Sequence, residues 1–259
     1  MRKGRPEELE IRECTTVADL DACVQLQRQV FGLPDLEISP RRHLIVSRRA
    51  GGWTLGAFTG DVLVGFVHHL VAVRGDGELI GYSHMMAVAA DYQNHGIGAR
   101  LKWAQRERAL GEGRHFITWT WEPMRVRNAH FNLNRLGVMV ESYAANLYGT
   151  DYVTEPDEKV NGVRGIDSDR VFASWYLSSE RVTVLASGGQ PSSLGEPVVT
   201  IEIPSNWPIM LKQDVAAAKQ EQLRVREEFQ RAFAAGLVCA GFDRKVARPR
   251  YLLYDSEGL

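Results

Sequence analysis

The chain has 259 residues, 44% of them hydrophobic and 24% charged, which is the balance of a globular chain able to bury a substantial core. It carries 31 Lys and Arg against 32 Asp and Glu, so its net charge is close to zero. No field of one sign is therefore available to collect nucleic acid or anionic membrane nonspecifically, and any partner must be recognised locally.

The sequence has no uninterrupted apolar run of about 18 residues, the length that spanning a bilayer requires. Its basic first residues, "MRKGRPEELE", are not followed by the apolar segment that a signal peptide has. We therefore expect a cytoplasmic protein without a nucleic-acid or membrane partner. Cys14, Cys23 and Cys239 are an odd number with no CxxC spacing, so we expect reduced packing residues, not a disulfide framework or a thiolate metal site.

The N-terminal part of the sequence predicts a strand, two helices and an antiparallel meander. "LEIREC" (9–14) alternates like a strand, and Thr16 with Asp19 has the capping-box spacing that begins a helix, which Gly32 is placed to end. A second helix is expected over roughly 40–49. The three apolar runs that follow, "WTLGAFTG", "VLVGFVHHLVAV" and "ELIGYSHMMAVA", are separated by "GD" and "RGDGE", which are hairpin signals.

The stretch "HMMAVAADYQNHGIGARLKWAQRE", which begins at His84, places an apolar strand against a short loop and then a helix. The first backbone N–H groups of a helix have no intrahelical partners, and Gly96 and Gly98 lack a Cβ, so a phosphate can approach the backbone closely. A dinucleotide fingerprint fails because Leu101 occupies its third glycine position, and no GKS or GKT is present for a nucleotide P-loop. A tight strand-to-helix turn without a ligand is the competing interpretation.

Further strands and helices follow the loop. "HFITWTW" alternates as a strand, and "NAHFNLNRLG" predicts a helix with one buried side and one side of amides and a cation. "VMVESY", "RVFASWYL" and "VVTIEIP" are expected strands, and "SGGQPSSLGEP" is the best linker candidate. A long helix from Leu211 to Ala235, ended by Gly236, and a hairpin of "LVCAGFD" with "RYLLY" complete the chain.

Gln93 to Gly98 resembles the [QR]-x-x-G-x-[GA] signature of the GNAT acyl-CoA-dependent N-acyltransferases. The order of predicted elements over 9–148 is similar to the GNAT fold, and 123–137 resembles a stretch found in predicted GNAT acetyltransferases with a C-terminal extension. The resemblance implies an α/β fold (α+β mixed sheet) with a splayed central sheet flanked by helices. It implies a GNAT domain over 1–150 and an α+β extension over 165–259 that packs on that sheet or completes it.

The resemblance also implies a function. We expect an N-acyltransferase that moves an acetyl or succinyl group from acyl-CoA to a small amine or amino acid by direct attack, without a metal. A non-catalytic CoA-binding or interaction module is the alternative. The implied cofactor contacts are Met86, Ala87, Val88, Gln93, Asn94, His95, Gly96, Ile97, Gly98, Ala99, Asn128 and Asn132, with structural capping as the competing role for Asn128.

The attacking amine must be neutral, so a base near the splayed strands is expected. His84 is the first candidate because we predict it on the same strand face as Val88, and Glu122 is the second. Many GNATs have a tyrosine acid where this chain has Leu133, so Tyr143 and Tyr148 are candidates to replace it, or the thiolate leaves without a proton donor.

The substrate-binding candidates lie at the exit of the tryptophan-rich strand. Arg125 and Arg127 carry guanidinium groups that suit a carboxylate on the acceptor or on the acyl group, and Trp121 is expected to line an apolar pocket. Surface solvation of the arginines and core packing of the tryptophan compete with these roles. The long C-terminal helix must bury its apolar stripe against the sheet or across a possible homodimer.

Overall fold

The computed structural model describes residues 9–152 and 165–258. They form two compact units: unit 1 is described over 9–115, and unit 2 over 116–152 and 165–258. The strand that follows His115 groups with unit 2. The domains expected over 1–150 and 165–259 stay a prediction. Residues 153–164 of the predicted turn-rich stretch lie outside the described residues.

Unit 1 has a sheet in which β1, β2, β3 and β4 are neighbours in that order and pair antiparallel, as the meander predicts. Helices α1 and α2 precede the meander and α3 follows it. The bounds are β1 Leu9–Glu13, α1 Val17–Phe31, α2 Arg41–Arg49, β2 Trp53–Thr59, β3 Val62–Val73, β4 Leu79–Val88 and α3 Ile97–Gly111.

The start of α1 shows how the local sequence fixes a helix. Thr16 is the N-cap, its side chain accepts from the N–H of Asp19, and Asp19 accepts from the N–H of Thr16, so the predicted capping box is present. Gly32 ends the helix in the left-handed conformation (φ 61°), which glycine adopts without steric cost. Arg12 donates to both Asp19 oxygens at 3.1 and 3.0 Å.

Two buried clusters cover the two faces of the unit 1 sheet. One face packs against α1 and α2 through Leu20, Leu44 and Phe66. The other face packs against α3 through Trp53 and Leu101, among others. The alternation of side chains along a strand therefore decides which helix each residue meets.

Unit 2 has strands in the neighbour order β5, β7, β6, β9, β10, β8, and their pairings are antiparallel. Its helix α4 continues into a π-helical turn. The bounds are β5 Phe116–Trp121, α4 Val126–His130, the π-helical turn Phe131–Arg135, β6 Met139–Ala144, β7 Arg170–Tyr176, α5 Glu180–Ala186, β8 Val199–Glu202, α6 Trp207–Gln213, α7 Val215–Ala234, β9 Leu237–Asp243 and β10 Arg250–Asp255.

Two helical features of unit 2 differ from the sequence expectation. Helix α5, capped by Ser179, was not predicted. The predicted long helix is two helices, because Asp214 leaves the helical conformation and its side chain caps α7 by accepting from the N–H of Ala217. The apolar stripe of α7 is buried within unit 2, where Val225 and Phe229 are fully buried and the helix contacts β6, β8 and β9.

Cys14, Cys23 and Cys239 are free and buried, as expected. The Sγ atoms of Cys14 and Cys23 lie 3.8 Å apart in the core. Among the helices of the described residues, none has the length and apolarity that crossing a membrane requires.

Candidate functional site

The loop that precedes α3 presents free backbone donors. Gly96 is the N-cap at φ 79°, Asn94 also has a positive φ of 65°, and neither a side-chain cap nor an acidic residue of the first turn occupies the helix start. The N–H groups from Gly96 to Ala99 donate no hydrogen bond to any residue that the structure describes. With the positive end of the helix dipole, they form a group that favours an anion.

The loop is held against the end of β4 and is open above its glycines. The side-chain amide of Gln93 donates to the carbonyl of Val88 at 3.1 Å. A Cβ added at Gly96 would meet nothing within 4 Å, and one at Gly98 would meet only Met86, with its nearest atom at 3.5 Å. The predicted phosphate-approach geometry is therefore present in the loop.

A β-bulge in β4 redirects His84. His68 of β3 lies opposite Met85 and His69 lies opposite Ser83, so His84 is the extra residue between them. Beyond the bulge, Val88 packs with the α3 cluster, whereas His84 lies beside His43 of α2. The prediction that His84 shares a face with Val88 is therefore wrong, because the extra residue reverses the alternation on its N-terminal side.

His84 is one of three histidines that meet beside α2. The ring centroids of His43 and His84 lie 5.3 Å apart, those of His43 and His68 5.5 Å, and those of His68 and His84 5.9 Å. His84 reaches solvent but is crowded by protein on its other sides, and this desolvation together with His43 lowers its pKa to about 4. Complete burial, then His84 and His43, lower the pKa of His68 to about 3.

Two hydroxyl groups hold the ring of His68. The hydroxyl of Ser47 donates to the carbonyl of Leu44 at 3.1 Å, so its oxygen is left to accept from Nε2–H of His68, also at 3.1 Å. Nδ1 of His68 then accepts from the hydroxyl of Thr54 at 2.8 Å. Thr54 stands directly opposite His68 in the antiparallel pair of β2 and β3, which explains the contact.

In unit 2, Glu122 is engaged by two neighbours. One carboxylate oxygen accepts from the indole N–H of Trp207 at 2.7 Å, and the other accepts from Nε of Arg125 at 3.0 Å. Two candidates from the sequence, the second base and one of the substrate arginines, are therefore partners of each other. Arg127 is exposed.

Tyr143 belongs to a buried polar cluster. Its hydroxyl donates to Asp169 at 2.5 Å, and Arg226 donates to both oxygens of Asp169 at 2.9 and 2.8 Å and to Asp167 at 2.7 Å. Burial and the adjacent carboxylate of Asp169 raise the pKa of the Tyr143 hydroxyl far above its usual value. This phenol therefore holds its proton firmly.

Tyr148 and Trp121 occupy different environments. Tyr148 is exposed, its hydroxyl lies 3.3 Å from that of Thr120, and the guanidinium of Arg170 lies over its ring at 5.1 Å. Trp121 is buried, and its indole N–H donates to the hydroxyl of Tyr251 at 3.4 Å. In unit 2, the tryptophan is thus a packing residue with a satisfied N–H.

The predicted helix over this stretch is α4 followed by the π-helical turn, and its predicted polar side is only partly exposed, because Asn132 is buried. Leu133 is fully buried, and Asn128 is exposed. Asn132 is only 4% exposed, yet its side-chain amide makes no hydrogen bond with any described residue. Neither polar atom of that amide is among the fully buried, unpaired side-chain atoms of the described residues, so the amide keeps some access to solvent.

His43 and His68 were missed by the sequence analysis. His68 and His69 follow each other within a run that predicts only a strand, and His43 lies in a short basic helix. The alternation of a strand gave no sign of the bulge, so no signal in the sequence joined these residues to His84.

Residues 20–137 match the sequence profile described as the acetyltransferase (GNAT) family. This segment is therefore a GNAT acetyltransferase domain, and it contains the loop of Gly96 and Gly98. No curated protein matches the sequence.

Solved structures of GNAT proteins have the same fold. A protein assigned to the GNAT family from Desulfovibrio desulfuricans aligns with 14% identity over 66% of this chain and 100% of its own, with a TM-score of 0.53. A GNAT acetyltransferase from Streptococcus pneumoniae aligns with 18% identity over 64% and 98%, with a TM-score of 0.50. FeeM, an N-acyl amino acid synthase from uncultured soil microbes, aligns with 16% identity over 70% and 98%, with a TM-score of 0.51. The predicted α/β class and GNAT fold are confirmed.

Proposed function

We propose that this protein is an acyl-CoA-dependent N-acyltransferase that moves an acetyl group, with succinyl as the alternative, to the amine of a small molecule such as an amino acid. The observation that carries the proposal is the row of N–H groups from Gly96 to Ala99, which donate to no described residue at the head of α3. Such a loop favours a diphosphate, and it lies inside the acetyltransferase domain. Coenzyme A carries that diphosphate next to its thioester arm.

The rest of the cofactor is assigned to two further groups of residues. The backbone of Met86, Ala87 and Val88 pairs with the pantetheine arm, as in the family that the domain belongs to. Asn132 donates to or accepts from the cofactor, because its side-chain amide makes no hydrogen bond with a described residue and keeps some access to solvent, which leaves it available to a ligand. Asn128 is exposed and serves as a weaker contact.

In the proposed reaction, the neutral amine attacks the carbonyl carbon of the thioester and forms a tetrahedral oxyanion, which N–H donors stabilise. The C–S bond then breaks, the amide forms, and coenzyme A leaves as the thiolate. The amine loses one proton to a base. His84 is assigned this role because the bulge presents it to solvent and its ring makes no hydrogen bond with a described residue.

The other catalytic candidates are ranked by what they touch. Glu122 is the weaker base candidate because Trp207 and Arg125 already occupy its oxygens. Tyr148 is the better proton donor to the thiolate, since its hydroxyl is exposed, whereas Tyr143 donates to the buried carboxylate of Asp169. A thiolate of ordinary pKa, about 8.5, also leaves without a donor.

The acceptor is assigned as a small amine with a carboxylate. Arg127 is the proposed partner of that carboxylate because it is exposed. Arg125 forms an ion pair with Glu122 at 3.0 Å, which supports an indirect role in holding the acidic residue in place. Trp121 supports the wall of the proposed acceptor pocket only by packing behind it, because its side chain is 4% exposed.

A CoA-binding module without turnover is the second candidate. The observation that favours it is Leu133, which is fully buried where many GNATs place a tyrosine acid. Such a module keeps the loop of Gly96 and binds coenzyme A, but transfers no acyl group.

The test separates binding from turnover. Both candidates predict that coenzyme A raises the melting temperature, because a ligand selective for the folded state stabilises it. Only the enzyme releases free thiol from acetyl-CoA or succinyl-CoA when amino acids, polyamines or peptides are supplied. Thiol release with one class of amine supports the enzyme; binding with a flat thiol signal across the panel supports the module; no binding of any acyl-CoA overturns both.

A further inference from the structure

Three imidazole rings from three different elements converge in unit 1. His43 comes from α2, His68 from β3 and His84 from the bulge of β4, and each offers a ring nitrogen within 4.8 Å of the other two. All three ring pairs are arranged edge to face. The three rings thus bring one nitrogen each around a shared space.

Two of the three rings lack a hydrogen-bond partner among the residues that the structure describes. Nε2 of His43 is buried and unpaired, and neither nitrogen of His84 takes part in a hydrogen bond. An unpaired buried nitrogen costs free energy, and a bound ion or a water is what relieves that cost. A bound cation would use the lone pairs of both rings.

We propose that His43, His68 and His84 bind a divalent transition-metal ion, with Zn²⁺ as the ion that three imidazoles suit best. Tetrahedral Zn²⁺ with bonds of about 2.1 Å places its nitrogen ligands roughly 3.4 Å apart. The nitrogen atoms, which lie within 4.8 Å of one another, must therefore close by up to about 1.4 Å when the ion binds. A water molecule or an acceptor ligand completes the tetrahedron, because His84 is open to solvent.

The surroundings of His68 already provide the outer contacts that such a ligand needs. A histidine bound to a metal through one nitrogen donates its other N–H to an oxygen, which fixes the ring. Ser47 and Thr54 lie on the two nitrogens of His68 at 3.1 and 2.8 Å. The ion displaces one hydroxyl, and the other remains as the orienting partner.

This proposal departs from the expectation of a protein without a metal, and it gives the histidines a role separate from binding coenzyme A. The phosphate-binding loop shares no residue with the cluster. Metal binding and acyl-CoA binding can thus fail independently, so a negative result for one leaves the other standing.

The experiment uses the full untagged chain after removal of metals with a chelator, in the absence of acyl-CoA. Titration with Co²⁺ is followed by visible absorption, which reports four-coordinate geometry, and Zn²⁺ is then added to displace Co²⁺. We expect one ion per chain, displacement of Co²⁺ by Zn²⁺, and a Zn²⁺-dependent rise in melting temperature. Loss of a ligand in His43→Gln or His84→Gln weakens binding by about 100-fold or more, beyond the roughly 10- to 100-fold cost of an outer-shell change.

His115→Gln is the matched control, since His115 is exposed and lies outside the cluster. Should His68→Gln fail to fold because His68 is fully buried, the more accessible His84→Gln still decides the question. The proposal is overturned if no stoichiometric ion binds, if the His43 and His84 variants bind as tightly as the wild type, or if His115→Gln loses binding equally.

Discussion

His84 and Val88 belong to the same strand but face opposite sides of the sheet, because a bulge at His84 interrupts the alternation between them. His84 therefore reaches solvent beside α2, away from the α3 face where Val88 packs.

If His84 accepts the amine proton, His84→Gln lowers kcat by about 100-fold or more, the usual range for a general base. The KM of this variant for acetyl-CoA stays within a few-fold of the wild-type value, because the loop of Gly96 and Gly98 is intact.

Steady-state kinetics of His84→Gln and of the control His115→Gln measure this effect. An unchanged kcat in His84→Gln removes the histidine from the mechanism and transfers the role to Glu122. Glu122→Gln alone is a poorer probe, because it also disturbs the contacts with Trp207 and Arg125.

Zn²⁺ is expected to slow acyl transfer, since an ion bound to His84 takes the lone pair that would accept the proton. The rate falls as the site fills and returns when a chelator removes the ion. The residual rate of His84→Gln does not respond to Zn²⁺. Inhibition of equal size in wild type and variant would place the inhibitory ion elsewhere.

The loop is tested by a charge placed on its helix start. Ala99 is the third residue of α3 and lies among the free N–H groups. A carboxylate in the first turn stabilises a helix by roughly 0.3 to 1 kcal/mol, but it repels a diphosphate at the same place. Ala99→Glu is expected to weaken coenzyme A binding by about tenfold, equivalent to about 1.4 kcal/mol, without lowering the melting temperature.

Ala99→Gln is the matched control because it has the same shape without the charge. Isothermal titration with coenzyme A compares the two variants. Equal affinities for Ala99→Glu and Ala99→Gln would mean that this turn joins strand to helix and binds no phosphate.

Asn132 and Asn134 provide a second matched pair in unit 2. The amide of Asn132 has no hydrogen-bond partner among the described residues, whereas Nδ2 of Asn134 donates to the carbonyl of Phe242 at 3.0 Å and only its Oδ1 is left unpaired. Asn132→Ala is therefore expected to raise the KM for acetyl-CoA several-fold with little loss of stability. Asn134→Ala is expected to lower stability by about 1 kcal/mol with an unchanged KM. A loss of stability in Asn132→Ala without any change in KM would contradict the cofactor contact.

The features that the sequence predicted correctly are those set by neighbours along the chain. The capping box at Thr16 and Asp19 and the left-handed Gly32 are decided within a few residues, so their residue types suffice to place α1. Gly96 and Gly98 likewise predict the strand-to-helix turn, whose N–H groups donate to no described residue. The meander followed from its turn residues and alternating runs.

The features that it missed depend on residues distant in the sequence. The bulge at His84 arises in the pairing of β3 with β4, and the contact with His43 needs the packing of α2 against that sheet. The break at Asp214 was missed because the apolar stripe continues through it, although the aspartate caps the next helix. Helix α5 is short, and its Val-rich sequence does not distinguish a helix from a strand.

The pair of Arg12 and Asp19 makes unit 1 sensitive to acid. The guanidinium of Arg12, followed by the backbone N–H of Thr16, lowers the pKa of Asp19 to about 2, against about 3.9 in an unfolded chain. Because the folded pKa is the lower one, the carboxylate stabilises the fold above pH 4, and this contribution is lost as pH falls from about 4 toward 2. The side chain of Arg12 is 38% exposed, so we expect this pair to stabilise the fold by about 1 to 2 kcal/mol at neutral pH, less than the full pKa shift implies.

Urea unfolding of the wild type and of Asp19→Asn measures this contribution. The difference in unfolding free energy between the two proteins is largest at pH 7 and shrinks below pH 4. Asp21→Asn is the control, since its ion pair with Arg41 is about half exposed on both sides and contributes little. A difference between wild type and Asp19→Asn that stays constant down to pH 2.5 would contradict the assignment.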